Sequence, residues 1–408
     1  MDKVSLEQYF KEHISSAYER SNFDSFIENE GLSYDFKSIH ITGTNGKGST
    51  SNFIYNIYLA SGRKAGLYNS PYFYDSTEMV SINGKNVEFE DYLKVFEEFK
   101  TKFEKYGLTT FEMQTIIAFE LLKRANLDIA VIEVGMGGYI DATNIINPLL
   151  SIITSVSLEH TAYLGRSISE IAYNKAGIIK PETPVLIGRL EDSAEFAIVE
   201  QAKELKSPIH KVENFHNEKI KDGKYVFDYF PYQGLEVNSL AKYQLKNASL
   251  AIEAVKILND VLPVNEDAIR KGLLSDSLFG RFETISKNLI IDGAHNADGI
   301  QNLVDSVSAY VKVPVHVVFA CFKDKNIDSM LNALGQISTD VTLTTFDHKR
   351  ARTEEEYFLY LGDYKFDADY KKVIDELRAT YPDDVVLVTG SLAFVGIVRK
   401  LFKWLRRI

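Results

Sequence analysis

The sequence predicts an α/β fold in two parts, each built around a mostly parallel sheet. Three observations carry this. Apolar runs of strand length, such as Asp128-Ile-Ala-Val-Ile-Glu-Val134 and Leu149-Leu-Ser-Ile-Ile-Thr-Ser155, alternate with helical stretches. That is the pattern of parallel strands covered on both faces. The segment Ile39-His-Ile-Thr-Gly-Thr-Asn-Gly-Lys-Gly-Ser-Thr50 runs from a strand start through a glycine-rich turn into a helix. After residue 286 the strand–helix alternation begins again. At 408 residues the chain exceeds what one compact core supports, so two domains are expected.

Taken in order, residues 43–61 supply the turn and its helix, with Gly62 just past the helix end. A strand over 65–69 stops at Ser70-Pro71. Residues 79–87 read as a hairpin turning at Asn83-Gly84, which favours a type I′ turn. Helical periodicity covers 89–106 and 112–124. Ser167-Ile-Ser-Glu170 is a capping box, so a helix starts near Ile168, holds Lys175 in its last turn and ends at Gly177 and Pro181. Residues 219–237 read as a small antiparallel addition, followed by a helix over 241–258. Residues 280–286 read as a hinge. Strands at 288–292, 315–319, 341–346 and 385–389 then build a smaller Rossmann-like domain. The expected division is a P-loop nucleotide-binding domain over residues 1–282 and a C-terminal Rossmann-like α/β domain over 283–408. The basic residues Arg399, Lys400, Lys403, Arg406 and Arg407 read as the solvated face of a last amphipathic helix rather than a membrane-binding segment.

A net charge of −11 opposes non-specific nucleic-acid binding. No apolar run is long enough to span a bilayer, and the N-terminus lacks a signal-peptide core, so a cytoplasmic protein is expected. The single cysteine, Cys321, excludes an internal disulfide, and its apolar neighbours make it buried strand filler rather than a nucleophile.

The chemistry gathers at strand ends. Backbone amides in the 43–49 turn converge as an anion-binding concavity, and Lys47 adds a positive charge where a triphosphate would lie. The loop departs from a regular Walker A pattern, since Ile41 and Gly48 occupy the positions of its first glycine and its hydroxyl residue. Glu133 ends an otherwise apolar strand before Gly135-Met-Gly-Gly138, which suits a Mg²⁺ ligand beside a triphosphate. A merely local carboxylate pairing is the other reading. His160 follows the next strand and is a metal-ligand candidate. Lys175 alone reads as a lysine favourable to a helix dipole. Asp292 and His295, in the turn after a strand, suit ribose, base or phosphate contacts, or else an Asx turn and a surface histidine.

Together these segments resemble the folylpolyglutamate synthase/dihydrofolate synthase branch of the Mur ligase family. The carrying motifs are Thr42-Gly-Thr-Asn-Gly-Lys-Gly-Ser49, Ser70-Pro71, Glu133-Val-Gly-Met-Gly-Gly138, Asp141-Ala-Thr-Asn144, Glu159-His160, Lys175-Ala-Gly-Ile-Ile179, Gly280-Arg-Phe-Glu283, Asp292-Gly-Ala-His-Asn296 and Thr389-Gly-Ser391. They occur in family order over nearly the whole chain, and the Gly-Lys-Gly-Ser form of the loop is typical of that branch.

The resemblance implies an ATP-dependent carboxylate–amine ligase that adds L-glutamate to the γ-carboxyl of a reduced folate through an acyl phosphate. It implies that the amides of Thr44, Asn45, Gly46, Lys47, Gly48 and Ser49, with the Lys47 ammonium, hold the phosphates. Ser70 and Glu133 would bind one Mg²⁺, and Glu133 and His160 a second. Lys175 would be carbamylated by CO₂. Asn247, Arg281, Asp292 and His295 would contact ATP. Lys47, Glu133, His160 and Lys175 form the implied catalytic set. The implied partners are ATP, L-glutamate and a reduced folate, with no nucleic acid and no membrane, and a monomer is expected.

The departures cluster at the acceptor side. Tyr72-Phe73 follow Ser-Pro where the family commonly has His-Leu, Glu78-Met79 replace a frequent Glu-Arg, and Tyr139 stands where an Arg is frequent. Dihydropteroate as an additional acceptor stays open. A P-loop phosphotransferase or ATPase would explain the loop and Glu133 but not Lys175 or the Asp292–His295 pair. A non-catalytic nucleotide-binding regulator would explain the missing arginines but not the metal set. A cell-wall amino-acid ligase would need an N-terminal domain for which the loop's position near residue 40 leaves no room.

Overall fold

The computed structural model describes residues 1–13, 20–275 and 279–404. The chain divides into two compact units. One comprises Met1–His216, Asp228–Glu236 and Lys246–Ser275, and the other Asn217–Phe227, Val237–Leu245 and Asp276–Ile408.

The first unit is built on eight strands: β1 (Ser38–Thr42), β2 (Ala65–Tyr68), β3 (Val80–Ile82), β4 (Lys85–Asn86), β5 (Ile129–Glu133), β6 (Leu150–Ile153), β7 (Val185–Ile187) and β8 (Ile209–Lys211). Their order is β4-β3-β2-β5-β1-β6-β7-β8. The six strands from β2 to β8 in that order are parallel, and β3 and β4 extend one edge antiparallel. All residues of β1 and β5 are buried, as strands covered on both faces require. The chain leaves β1 toward one side of the sheet and later passes to the other through β6. Strand order therefore reverses around β1, and the carboxyl edge there is where an open α/β sheet forms its ligand crevice.

A cluster rich in aromatic side chains packs around the helices Lys3–Glu12, Arg20–Asn29, Phe89–Tyr106 and Thr110–Arg124, with Phe10, Phe23, Phe26, Phe96, Phe103 and Phe119 fully buried. A separate cluster joins Ile153, Val185 and Ile187 to Ile171 and Ile198 of the helices Ile168–Ala176 and Asp192–Glu204. The Asn83-Gly84 turn has positive φ at both residues, 51° and 87°, as a type I′ turn requires. The two N-terminal helices carry no signal in the sequence. Each buries only two residues, too few for a periodic signal.

Strands β9 (His216–Lys221), β10 (Lys224–Tyr229) and β11 (Tyr232–Val237) form a three-stranded sheet in the order β11-β10-β9. The helix Tyr243–Ile257 follows.

The second unit carries β12 (Glu283–Ser286), β13 (Leu289–Ile291), β14 (Val315–Phe319), β15 (Asp340–Leu343), β16 (Lys365–Phe366) and β17 (Val385–Thr389), ordered β12-β13-β17-β14-β15-β16. All pair in parallel except β12, which runs antiparallel to β13. Residues 283–286, read from sequence as part of a hinge, are thus an edge strand of this sheet. Cys321 follows β14, is free and buried, and burial pushes its thiol up.

The last helix, Leu392–Trp404, buries Phe394, Val395, Val398 and Phe402. Lys400 is exposed, but Arg399 is not part of a solvated face: it is 3 % exposed and bound to Glu283. Arg406, Arg407 and the side chain of Lys403 lie outside the described residues. Among the described residues, no helix is long and apolar enough to cross a membrane.

Candidate active site

The phosphate-type loop leaves β1 at Thr42 and enters the helix Lys47–Ala60 with Gly46 as its N-cap residue. Gly46 adopts φ 88°, and a Cβ there would collide with Oδ1 of Asn247, a side chain from the helix Tyr243–Ile257. The loop is latched to the segment after β6. The Thr44 amide donates to the Ser155 carbonyl at 2.9 Å, and the Asn45 amide to the Ser155 hydroxyl at 2.8 Å. The Thr154 hydroxyl donates to the Asn45 carbonyl at 2.7 Å, and the Ser157 amide to the Thr44 hydroxyl at 3.0 Å. The amides of Thr44 and Asn45 are therefore engaged in shaping the loop. The helix N-terminus begins at Gly46, which has no side chain to cap the first turn, and free amides at a helix N-terminus are in general suited to anions. Lys47 folds back on its own loop, donating to the carbonyl of Gly43 at 3.0 Å and of Thr44 at 3.4 Å.

Glu133 ends β5 beside this loop and is 4 % exposed. Its Oε2 accepts from the Ser70 amide at 3.3 Å. The Asn69 amide, with its nitrogen turned toward the carboxylate, donates to the same oxygen at 3.2 Å. Ser70 and Glu133 are thus brought together. His160 lies on the same side of the chain after β6, at the start of the one-turn helix Thr161–Leu164. It holds a left-handed backbone conformation, φ 50° and ψ 38°, costly for a residue with a Cβ and typical of functional loops. Its Nε2 is 3.9 Å from Glu159 Oε1.

Lys175 is 3 % exposed in the helix Ile168–Ala176, whose start is the predicted capping box of Ser167 and Glu170. Burial, then the charge of Lys47, push its amine down to about 7, against the opposing charges of Glu159 and Asp141. The end of this helix is seated against the glycine run after β5. The Tyr139 amide donates to the Asn174 carbonyl at 2.9 Å, and Asn144 Nδ2 to the Gly177 carbonyl at 3.0 Å. A Cβ on Gly138 would lie 2.7 Å from the Lys175 carbonyl oxygen, so only glycine permits the approach. The Thr42 hydroxyl in turn bonds the Gly137 carbonyl, tying β1 to the same run.

Arg281, Asp292 and His295 belong to the second unit. Asp292 is 2 % exposed and accepts from the Tyr243 hydroxyl at 2.6 Å, the Phe282 amide at 2.8 Å and the Ala294 amide at 2.8 Å. Burial pushes its carboxyl up, against the Tyr243 hydroxyl and the Arg281 charge. His295 Nδ1 lies 2.9 Å from the Gly293 carbonyl.

Several residues had no role in the sequence reading. Ser155 and Thr154 hold the loop; their only sequence signal was their place at the end of the apolar run 149–155. Asp141 is buried and receives the amides of Met136 at 2.8 Å and Thr143 at 3.0 Å, fixing the run between Glu133 and the Lys175 helix. Arg20 reaches the carbonyls of Tyr139 at 3.1 Å and Asp141 at 2.6 Å. It sets a guanidinium on the loop beside Tyr139, itself 64 % exposed. Tyr72 donates to Glu7 at 2.7 Å, and Met79 is buried.

Comparison with known proteins agrees with this architecture. Residues 41–255 match the Mur ligase middle domain, and residues 280–392 match the Mur ligase glutamate ligase domain. The dihydrofolate synthase/folylpolyglutamate synthase of Bacillus subtilis is 30 % identical over 389 residues, covering 90 % of each chain. The Mycobacterium tuberculosis folylpolyglutamate synthase complexed with ADP and AMPPCP superposes with a TM-score of 0.88 at 26 % identity, covering 98 % of each chain. Escherichia coli FolC in complex with DHPP and ADP superposes with a TM-score of 0.87 at 29 % identity, covering 100 % of this chain and 99 % of that one. The chain belongs to the Mur ligase family, in its folylpolyglutamate synthase/dihydrofolate synthase branch.

Proposed function

We propose that this protein is an ATP-dependent ligase that joins the amino group of L-glutamate to the γ-carboxyl of a reduced folate. The observation that carries the reading is Lys175. A lysine sequestered beside a phosphate-loop lysine has no use in a plain P-loop ATPase. In a ligase its neutral amine is ready to take up CO₂ as a carbamate, releasing one proton and becoming an anionic oxygen donor.

The reaction needs activation because a carboxylate lacks a leaving group. The folate γ-carboxylate attacks the γ-phosphorus of ATP, ADP departs, and an acyl phosphate forms. The glutamate amine then attacks the acyl carbon, phosphate leaves from the tetrahedral intermediate, and the nitrogen loses a proton. The helix N-terminus at Gly46–Ser49 and the Lys47 ammonium would bind the phosphate oxygens and neutralise charge as it moves to the leaving ADP. Asn247 would contact ATP from beside Gly46. Arg281, Asp292 and His295 would supply further contacts to ATP.

Ser70 and Glu133 offer the hard oxygen donors that Mg²⁺ takes beside substrate phosphates, and the ion needs no all-protein cage there. When bound it would supply charge neutralisation on the phosphates. Glu133 and His160 remain the proposed ligands of a second ion. A cytoplasmic monomer that needs neither nucleic acid nor membrane completes the proposal.

Dihydropteroate is the second acceptor to consider, because the B. subtilis relative is named for both activities. Mass spectrometry after incubation with MgATP, L-glutamate and tetrahydrofolate tests the first reading. A product heavier by one glutamyl residue supports it. ATP hydrolysis with no such product contradicts it. Dihydropteroate in place of tetrahydrofolate tests the second.

A further inference from the structure

The turn that carries Arg281 is tied down from two sides. On one side Asp292 takes the Phe282 amide at 2.8 Å, and the Gly293 amide bonds the Gly280 carbonyl at 2.8 Å. On the other side Glu283 Oε2 takes the Gly280 amide at 3.0 Å. Glu283 is itself gripped by Arg399, whose Nε lies 3.0 and 2.9 Å from the two carboxylate oxygens. Arg399 comes from the last helix, 116 residues further along the chain, and its guanidinium carbon stands 3.5 Å from the centre of the Phe279 ring. Both ends of the turn, Phe279–Gly280 and Glu283, thus rest on one buried arginine.

The turn needs such ties. Phe282 holds φ 50°, a left-handed conformation that a residue with a bulky side chain resists. A buried ion pair is in general poor value as a source of stability, since desolvating two charges offsets their attraction. Here the carboxylate is shared with the Gly280 amide, so the pair fixes the turn rather than simply filling a core. The guanidinium of Arg281 is aimed by that turn: a Cβ on Gly293 would lie 2.9 Å from its Nη1, over the Asp292–His295 segment.

We propose that Arg399, acting through Glu283, is a positioning residue for Arg281 and sets how the second unit holds ATP. This rests on the reading of Arg281 as a nucleotide contact. The test is a double-mutant cycle in the full chain, reading KM for ATP and kcat separately for Arg399→Met, Arg281→Ala and the pair.

Arg399→Met is expected to raise KM for ATP roughly tenfold, and to add nothing once Arg281 is alanine. An unchanged KM for Arg399→Met, beside a raised KM for Arg281→Ala, overturns the positioning role alone. Additive effects overturn it as well. An unchanged KM for Arg281→Ala overturns both this inference and the nucleotide-contact reading. If Arg399→Met does not fold, Glu283→Gln, which keeps the shape and weakens the grip, takes its place in the same cycle with the same outcomes.

Discussion

Burial, reinforced by the nearby charge of Lys47, pushes the Lys175 amine from 10.5 down to about 7. A large share of that amine is therefore unprotonated at neutral pH, the form that reacts with CO₂. Below about pH 7 the ammonium dominates and carbamate cannot form. Turnover at limiting CO₂ should fall as pH drops through that value and recover with added bicarbonate. The sign also applies to stability without CO₂. Between about 7 and 10.5 the unfolded chain holds the extra proton, so stability should rise with pH across that window. Activity independent of bicarbonate on both sides of pH 7 would refute the carbamate.

Lys175→Ala should cut turnover strongly, by roughly 10²-fold or more, with partial rescue by short carboxylates that occupy the vacated space. Full activity in the variant would remove Lys175 from the mechanism.

Lys47→Ala removes the loop cation and should lower kcat by roughly 10²–10³-fold while the fold is kept. Its circular dichroism and melting temperature check the fold. Near-normal turnover would mean that the triphosphate lies elsewhere.

Gly46→Ala introduces a Cβ against Asn247 at a φ of 88°. The left-handed backbone alone costs about 1–2 kcal/mol, and the collision adds to it. ATP binding by calorimetry should weaken by at least tenfold. The melting temperature should fall too, and Asn247→Ala in the same chain should restore part of that fall if the collision is the cause.

Much of the fold was legible because its signals are local. The loop between β1 and its helix, the Asn83-Gly84 turn and the Ser167–Glu170 cap each depend on residues within a few positions of one another. Glu133 and Lys175 could be placed at a strand end and a last helical turn for the same reason. What was not legible depends on distant partners. Arg399 sits at a helix position that looks solvated until Glu283 is found beside it. Residues 283–286 look like a linker because an edge strand of four residues has no period to read. Ser155 showed no sign of latching the loop, since its bonds to Thr44 and Asn45 close a gap of about 110 residues between adjacent parallel strands.

Arg20 tests the proposed folate contact. It places a guanidinium on the carbonyls of Tyr139 and Asp141. Arg20→Ala should raise KM for the anionic folate several-fold with KM for ATP unchanged. Equal changes in both constants would mark Arg20 as a structural tie.

Ligase chemistry is tested most directly by phosphate release from MgATP with and without L-glutamate, in the presence of tetrahydrofolate or dihydropteroate. Release that requires both glutamate and a pterin acceptor is expected. Release at the same rate without glutamate would contradict it and leave an ATPase on a ligase fold.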